Sequence, residues 1–410
     1  MRPFGPDSPW RFAPGLVFLS HGTFGACPVP VLEAQRALID ELEESPIQVL
    51  DREYEVRLDA ARDEIARFLN ADPAGVVALP NATTGVSTVL RSLRLRPGDE
   101  LLTTDHEYNA VLNALQAVAD DAKARVVRAQ VPLPIRHPEE VVEALIAAVT
   151  PRTRIALVSH VTSPTGLAFP IETIVRELDR LGVDTIVDAA HAPGMVPIDI
   201  DRLGAAYWTA NGHKWLCGPK TAGILAVRED RRAGVRPLVT SHGRNDPRGD
   251  RPPLWKAFDW LGTTDPSPFL TLPVAIRLVG SLDPGGWPGV MARNRAYALA
   301  ARERLQALFG VEPAAPDSMV EAMATVRVPG LDTDAAALAL TKALYDEDRI
   351  EVPFPGWPVR GARRDVADPP TQVVIRVSAQ LYNDATDIDR LVEALVRRGV
   401  GAAASAIVSG

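Results

Sequence analysis

Between residues 75 and 230 short apolar runs alternate with stretches whose apolar positions recur every three or four residues, the pattern of strands joined by helices. One unit is complete. Thr153 to His160 (TRIALVSH) reads as a buried strand, Ile171, Ile174, Val175, Leu178 and Leu181 fall at helical spacing, and Gly182 stops the helix. Thr185 to Val187 then begins a second strand that ends at Asp188. Repetition of this βαβ kind predicts an α/β fold with a mostly parallel central sheet. In open sheets of this class ligands sit beyond the carboxyl ends of the strands, so Asp188 is placed where chemistry is usually done.

The pattern changes after residue 240. Arg244 to Pro268 is rich in Pro, Gly, Asp and Trp and predicts a long structured loop. Leu272 to Leu282 and Arg293 to Phe309 carry helical periodicity. Strand-like Ala324 to Val328 and Val373 to Val377 flank a helical Thr333 to Leu344, an α+β grouping. The first 30 residues show no helical period. The expected organisation is an arm over 1–30, a large domain over 31–275 and a smaller C-terminal α+β domain over 276–410, against which the arm packs.

Composition narrows the function classes. A chain of 410 residues, 46% hydrophobic and 23% charged, can bury a core of two-domain size. The net charge of −8, with no long run of Lys or Arg, lacks the footprint that holds a polyanion, so nucleic acid is not an expected partner. Met1 to Trp10 has no basic segment followed by an apolar one, and no apolar stretch approaches the ~20 residues that span a bilayer. No membrane partner and a cytoplasmic location are expected. Cys27 and Cys217 are too few for a disulfide framework and lack metal-site spacing, so no metal is expected.

Three segments carry candidate chemistry. The strand-like VVAL of residues 76–79 leads through Asn81-Ala82-Thr83-Thr84-Gly85 into a helical pattern, which presents free N–H groups and a positive dipole end to a phosphate. Asp188, in VDAAHAPG, is flanked by small residues that leave room for a flat ring, and a carboxylate there would keep a pyridine nitrogen protonated. Lys214, in NGHKW, becomes a neutral, imine-forming amine if its setting is apolar. Taken singly, these read as a helix cap, a turn acid and a surface lysine; their order is what carries weight.

The chain resembles the aminotransferase class V family of fold type I pyridoxal phosphate enzymes, in the branch of isopenicillin N epimerase and cysteine-conjugate lyases. The resemblance rests on LSHGTFG (19–25), DHEY (105–108), HVTSPTG (160–166), DAAH (188–191), HKWL (213–216) and GTTD (262–265), in that order. It implies pyridoxal 5′-phosphate held by Lys214 as a Schiff base, with Asp188 on the pyridine nitrogen and His106 stacked on the ring. It places His191 and Ser163 near the ring hydroxyl, and gives Thr83, Thr84, Asn211 and His213 to the phosphate. Thr263 would reach the phosphate of a neighbouring subunit, implying a homodimer with shared active sites. Arg376 matches the arginine that binds a substrate carboxylate, for which its planar fork is suited. His21 and Tyr108, which lie in matched blocks, and Tyr54, Arg244 and Trp260 are candidates for the substrate pocket.

The fold does not choose the reaction. Cysteine desulfurases need a nucleophilic Cys in the C-terminal domain, and no Cys follows Cys217. The expected function is a C–S β-lyase or an epimerase in small-molecule biosynthesis, acting on an amino-acid-type substrate. An aminotransferase or decarboxylating deaminase is the alternative, and a non-catalytic cofactor-binding dimeric scaffold is the reading from another class.

Overall fold

The computed structural model describes residues 8–358 and 372–401. Its strands are β1 (Val17–Phe18), β2 (Val76–Leu79), β3 (Glu100–Thr104), β4 (Arg125–Ala129), β5 (Thr153–Ser159), β6 (Asp184–Asp188), β7 (Tyr207–Asn211), β8 (Gly223–Val227), β9 (Met323–Arg327), β10 (Ile350–Glu351), β11 (Gly356–Trp357) and β12 (Gln372–Ser378). Seven of them form one sheet in the order β2-β8-β7-β6-β5-β3-β4, in which β8 alone runs against its neighbours. The expected mostly parallel α/β architecture is therefore present.

The apolar runs are continuous because both faces of this sheet are covered. Ile155 and Leu157 of β5 point into one core with Ile186 and Leu225, whereas Ala156 and Val158 point into another with Val187 and Trp208. The Ile171–Arg180 helix buries Ile171, Ile174, Val175 and Leu178, as its spacing predicts. Leu181 departs from the pattern: it caps the helix and is 52% exposed, because the chain has already left the helical track there.

The Arg244 to Pro268 segment is more ordered than its composition implies, since it contains the Pro253–Phe258 helix. Its anchor is remote in sequence. Fully buried Arg62 stacks on Trp255 with its guanidinium carbon 3.9 Å from the ring centre and bonds Asp259 at 2.5 Å. Tyr54 donates to the Asp259 carbonyl and meets Trp260 edge to face.

In the C-terminal region β11, β12 and β9 form an antiparallel sheet in that order. Ile375, Val377, Leu391 and Leu395 pack there with Leu305 and Phe309 of the Gly286–Phe309 helix. The N-terminal segment is threaded through this region. β1 pairs in parallel with β10, Ser20 bridges to Ser378, and the next residues are thereby delivered to the ends of the large sheet.

The Ala82–Ser92 helix lies so close to β7 that a Cβ on Gly85 would sit 2.0 Å from Thr209 Oγ1 and 2.8 Å from Thr209 Cβ. Gly85→Ala is expected to cost ~1–3 kcal/mol through overpacking. Urea denaturation checks this; an unchanged midpoint would show that the helix can shift outward.

Candidate active site

The carboxyl ends of β2, β5, β6 and β7 converge on a cavity of about 590 Å³, lined among others by Thr83, Ser159, Asp188, His191, Asn211 and Lys214. Further parts of its wall come from distant chain: Gly22, Thr23 and Phe24, Tyr108 and Asn109, Ser163, Pro353, Pro355 and Gly356, and Arg376.

Asp188 ends β6 at 5% exposure, and one oxygen accepts the Ala190 N–H at 2.9 Å. Burial raises its pKa, against the backbone N–H and the Lys214 charge. Lys214 follows β7, and its amine is pushed down to about 7, chiefly by burial, with the Arg376 charge adding and Asp188 opposing. Lys214 Nζ lies 3.0 Å from His191 Nε2. Burial, then the Lys214 charge, holds His191 well below the usual imidazole range.

Arg376, on β12, reaches the cavity from the other side. Its guanidinium bonds the Ser163 carbonyl and Thr23 Oγ1, while its buried Nε has no partner. No Asp or Glu among the described residues forms an ion pair with it, and burial lowers its pKa to about 10. A buried cation facing a cavity without a counterion is a receptor for an anionic ligand group.

At the opposite wall the Ala82–Ser92 helix begins. Asn81 caps it by accepting the Thr84 N–H and hydroxyl, and Asn211 Oδ1 accepts the Ala82 N–H at 2.9 Å. Thr83 is left at the cavity wall with the helix N-terminus behind it. His213 lines the cavity as well; its Nδ1 is buried without a partner, and burial lowers its pKa to about 4.

Seven of the expected residues lie off this chain's cavity wall. Thr84 is turned into the helix cap and does not line the cavity. His106 is fully buried outside the cavity wall. Its Nδ1 is 2.8 Å from Thr165 Oγ1, its Nε2 is 3.3 Å from the Val131 carbonyl, and Phe169 and Trp357 pack on its ring. The aromatic side chain that this turn gives to the cavity is Tyr108, at 47% exposure. His21 is likewise buried outside the cavity: Nδ1 receives the Ala26 N–H and meets the Tyr382 hydroxyl, so Nε2 carries the hydrogen that reaches the Lys214 carbonyl at 3.0 Å. It holds the backbone of Lys214. Tyr54, Arg244 and Trp260 lie outside the cavity wall with the Arg62–Asp259 cluster or at the surface, and Thr263 is exposed outside this chain's cavity.

Gly25 explains the closeness of the arm. At φ +68° its absent Cβ would lie 1.9 Å from the His213 carbonyl oxygen, so only glycine lets this turn pass beside Lys214. Glu107 was not singled out by the sequence. It is fully buried, its two oxygens accept the Ser159 N–H and hydroxyl at 2.7 Å, and burial together with the Asp188 charge pushes it up to about 8. Pro353 to Gly356 was also missed, since nothing local in that stretch marks a site.

Comparison with known proteins adds the following. The family described as aminotransferase class-V matches residues 27–391. The chain is similar to isopenicillin N epimerase of Amycolatopsis lactamdurans, 34% identical with 93% of this chain and 95% of that protein covered. It is also similar to the probable chloroplastic L-cysteine desulfhydrase of Arabidopsis thaliana, 29% identical over 94% of this chain and 84% of that one. Among solved structures, the cystine C–S lyase C-DES in complex with cysteine persulfide superimposes with a TM-score of 0.75 at 23% identity, covering 93% of this chain and 97% of that one. This last likeness concerns the fold. No helix among the described residues is long and apolar enough to cross a membrane.

Proposed function

The chain belongs to the aminotransferase class-V family, a family of pyridoxal phosphate-dependent enzymes, and from that premise we propose that it is a C–S β-lyase acting on an amino-acid-type substrate in small-molecule metabolism. The observation that carries the substrate class is Arg376, a buried guanidinium on the cavity wall with no counterion among the described residues. The site fits the cofactor by its own chemistry. Lys214 is a buried amine depressed to about 7, Asp188 is a buried carboxyl, and the helix N-terminus at Thr83 suits a phosphate together with His213 Nδ1, which has no partner among the described residues.

In this reading Lys214 attaches the cofactor, Asp188 faces the pyridine nitrogen, His191 and Ser163 lie toward the ring hydroxyl, and Thr83, Asn211 and His213 hold the phosphate. The bound cofactor supplies an electron-withdrawing ring that takes up the electron pair when a bond to the substrate Cα breaks. Arg376 fixes the substrate carboxylate. Lys214 takes the Cα proton, and the sulfur leaves Cβ with its bonding pair. One base suffices for this elimination, and His106, bonded to Thr165 and Val131, lies off the cavity wall. Persulfide formation on the enzyme is disfavoured: Cys27 and Cys217 lie off the cavity wall, and burial raises both thiols.

Epimerisation is the second reading. It is favoured by the 34% identical relative and by Tyr108, which could return a proton from the other face. Transamination would require a second keto acid as the amino acceptor, and decarboxylation would require the carboxylate that Arg376 holds to be the group that leaves. The proposed assembly is a homodimer in which Thr263 reaches the neighbouring phosphate, with the 1–30, 31–275 and 276–410 division and a cytoplasmic setting. Incubation with cysteine conjugates in deuterated water separates the outcomes: pyruvate and a free thiol support the lyase, a deuterated enantiomer the epimerase, and accumulation of the amine form of the cofactor transamination.

Arg376→Ala is expected to raise KM for carboxylate substrates ~10- to 100-fold, the loss of hydrogen bonds to a charged group, with little change for the corresponding amines. Steady-state kinetics on matched pairs measures this, and equal losses on both would refute carboxylate binding at this residue.

A further inference from the structure

The geometry points to Trp215 as a positioning residue whose indole N–H locks His191 in the Nε2–H tautomer, so that His191 presents a donor rather than a lone pair to Lys214 Nζ. The inference takes the role of Lys214 from the reading above; the tautomer itself is argued from hydrogen-bond chemistry alone.

Trp215 Nε1 donates to His191 Nδ1 at 3.3 Å. An indole nitrogen has a hydrogen and no acceptor lone pair, so His191 Nδ1 must be unprotonated for this contact to exist. His191 is 1% exposed and is faced by the cationic or basic side chains of Lys214, Arg376, His213 and His21, a setting in which a second ring proton is disfavoured. The single ring hydrogen therefore sits on Nε2.

That nitrogen lies 3.0 Å from Lys214 Nζ. A hydrogen bond between them needs one hydrogen and one lone pair. With the hydrogen on His191, Lys214 must accept, which an ammonium cannot do. The contact thus selects the neutral amine, the form able to attack an aldehyde. The direction of the Trp215 bond decides the protonation state two contacts away. When Lys214 is engaged elsewhere, the His191 N–H is left available to the next acceptor at that point; a ring oxygen of the cofactor meeting it would be held in its ionised, accepting form.

Trp215 is well placed for this. It is fully buried, its ring stands 5.0 Å from that of His21, and a Cβ on Gly194 would meet the Trp215 carbonyl oxygen at 2.5 Å, so its backbone has no room to drift. Shape alone would be served by another large aromatic. The donor would not.

The experiment is nitrogen-15 solid-state NMR of the full-length, cofactor-loaded protein carrying labelled histidine, with the His191 signals assigned by subtraction of the spectrum of His191→Gln. The expected result is one protonated Nε2 and one bare Nδ1. In Trp215→Phe the single tautomer should be lost. After cofactor removal, acetylation of Lys214 by acetic anhydride at pH 7, read by mass spectrometry, should then fall roughly fivefold, as a one-unit rise in an amine pKa that starts near the working pH gives. A wild-type His191 protonated at Nδ1, or at both nitrogens, overturns the proposal whether or not the variant folds. A folded Trp215→Phe that keeps the tautomer overturns it as well. Failure of the cofactor assignment would look different: a borohydride-fixed adduct on another lysine, with the His191 spectrum unaffected.

Discussion

Lys214→Ala is expected to abolish the cofactor adduct that borohydride fixes in the wild-type protein and to lower turnover by at least ~10²–10⁴-fold, the range lost with a positioned proton-transfer group. Two proposed functions would be removed together in this variant, the covalent anchor and the base. Among the described residues Lys214 is the only lysine on the cavity wall, and burial has brought its pKa from 10.5 to about 7. The sign of the pH effect follows. Below about 7 the amine takes a proton and loses its lone pair, so cofactor capture by the stripped protein should slow as the pH falls through that point and reach a plateau above it. Peptide mapping after reduction and stopped-flow absorbance measure the two effects. An adduct that persists on another lysine would sink the assignment.

The parts of the molecule that could be read in advance are those whose signal is local. The βαβ periodicity from Thr153 to Asp188 reports burial on two sheet faces, and Asp188 ends its strand as that periodicity requires. Lys214, Asn211, Thr83 and His191 lie within two or three residues of strand or helix ends, so their convergence follows from the topology. What escaped depends on side-chain direction over long sequence separations. His106 and Tyr108 are two residues apart in one turn, yet one ring faces the core beneath Trp357 and the other faces the cavity. Nothing in DHEY distinguishes them. His21 reads as a pocket residue because Gly22, Thr23 and Phe24 beside it do line the cavity, but its own ring turns back to hold the Lys214 carbonyl. Glu107 and Ser159 are 52 positions apart and meet only because β3 pairs with β5. The order of Arg244 to Pro268 depends on Arg62, whose partner Asp259 lies 197 positions away.

Asp188→Asn should retain the shape of the site while lowering turnover by ~10²–10³-fold, comparable to the loss of a preorganised electrostatic group, and weakening cofactor retention. The reasoning turns on burial. A carboxyl at 5% exposure, with one backbone N–H and no ion-pair partner among the described residues, has its pKa raised and tends to hold a proton. Glu107, also buried, is pushed up to about 8 by burial and by the charge of Asp188. A ring nitrogen held against Asp188 would change that balance, because the carboxylate could then keep its charge beside a protonated nitrogen. Asparagine has neither the proton to give nor the charge to hold, so the ring nitrogen would lose its proton and the site its electron sink. The same volume is kept, which separates charge from packing. Kinetics together with the absorbance of the bound cofactor check this: wild-type turnover in a folded, cofactor-loaded Asp188→Asn would rule out the role, whereas a large loss in Asp188→Asn with normal retention in Ser159→Ala would confine the effect to the carboxylate itself.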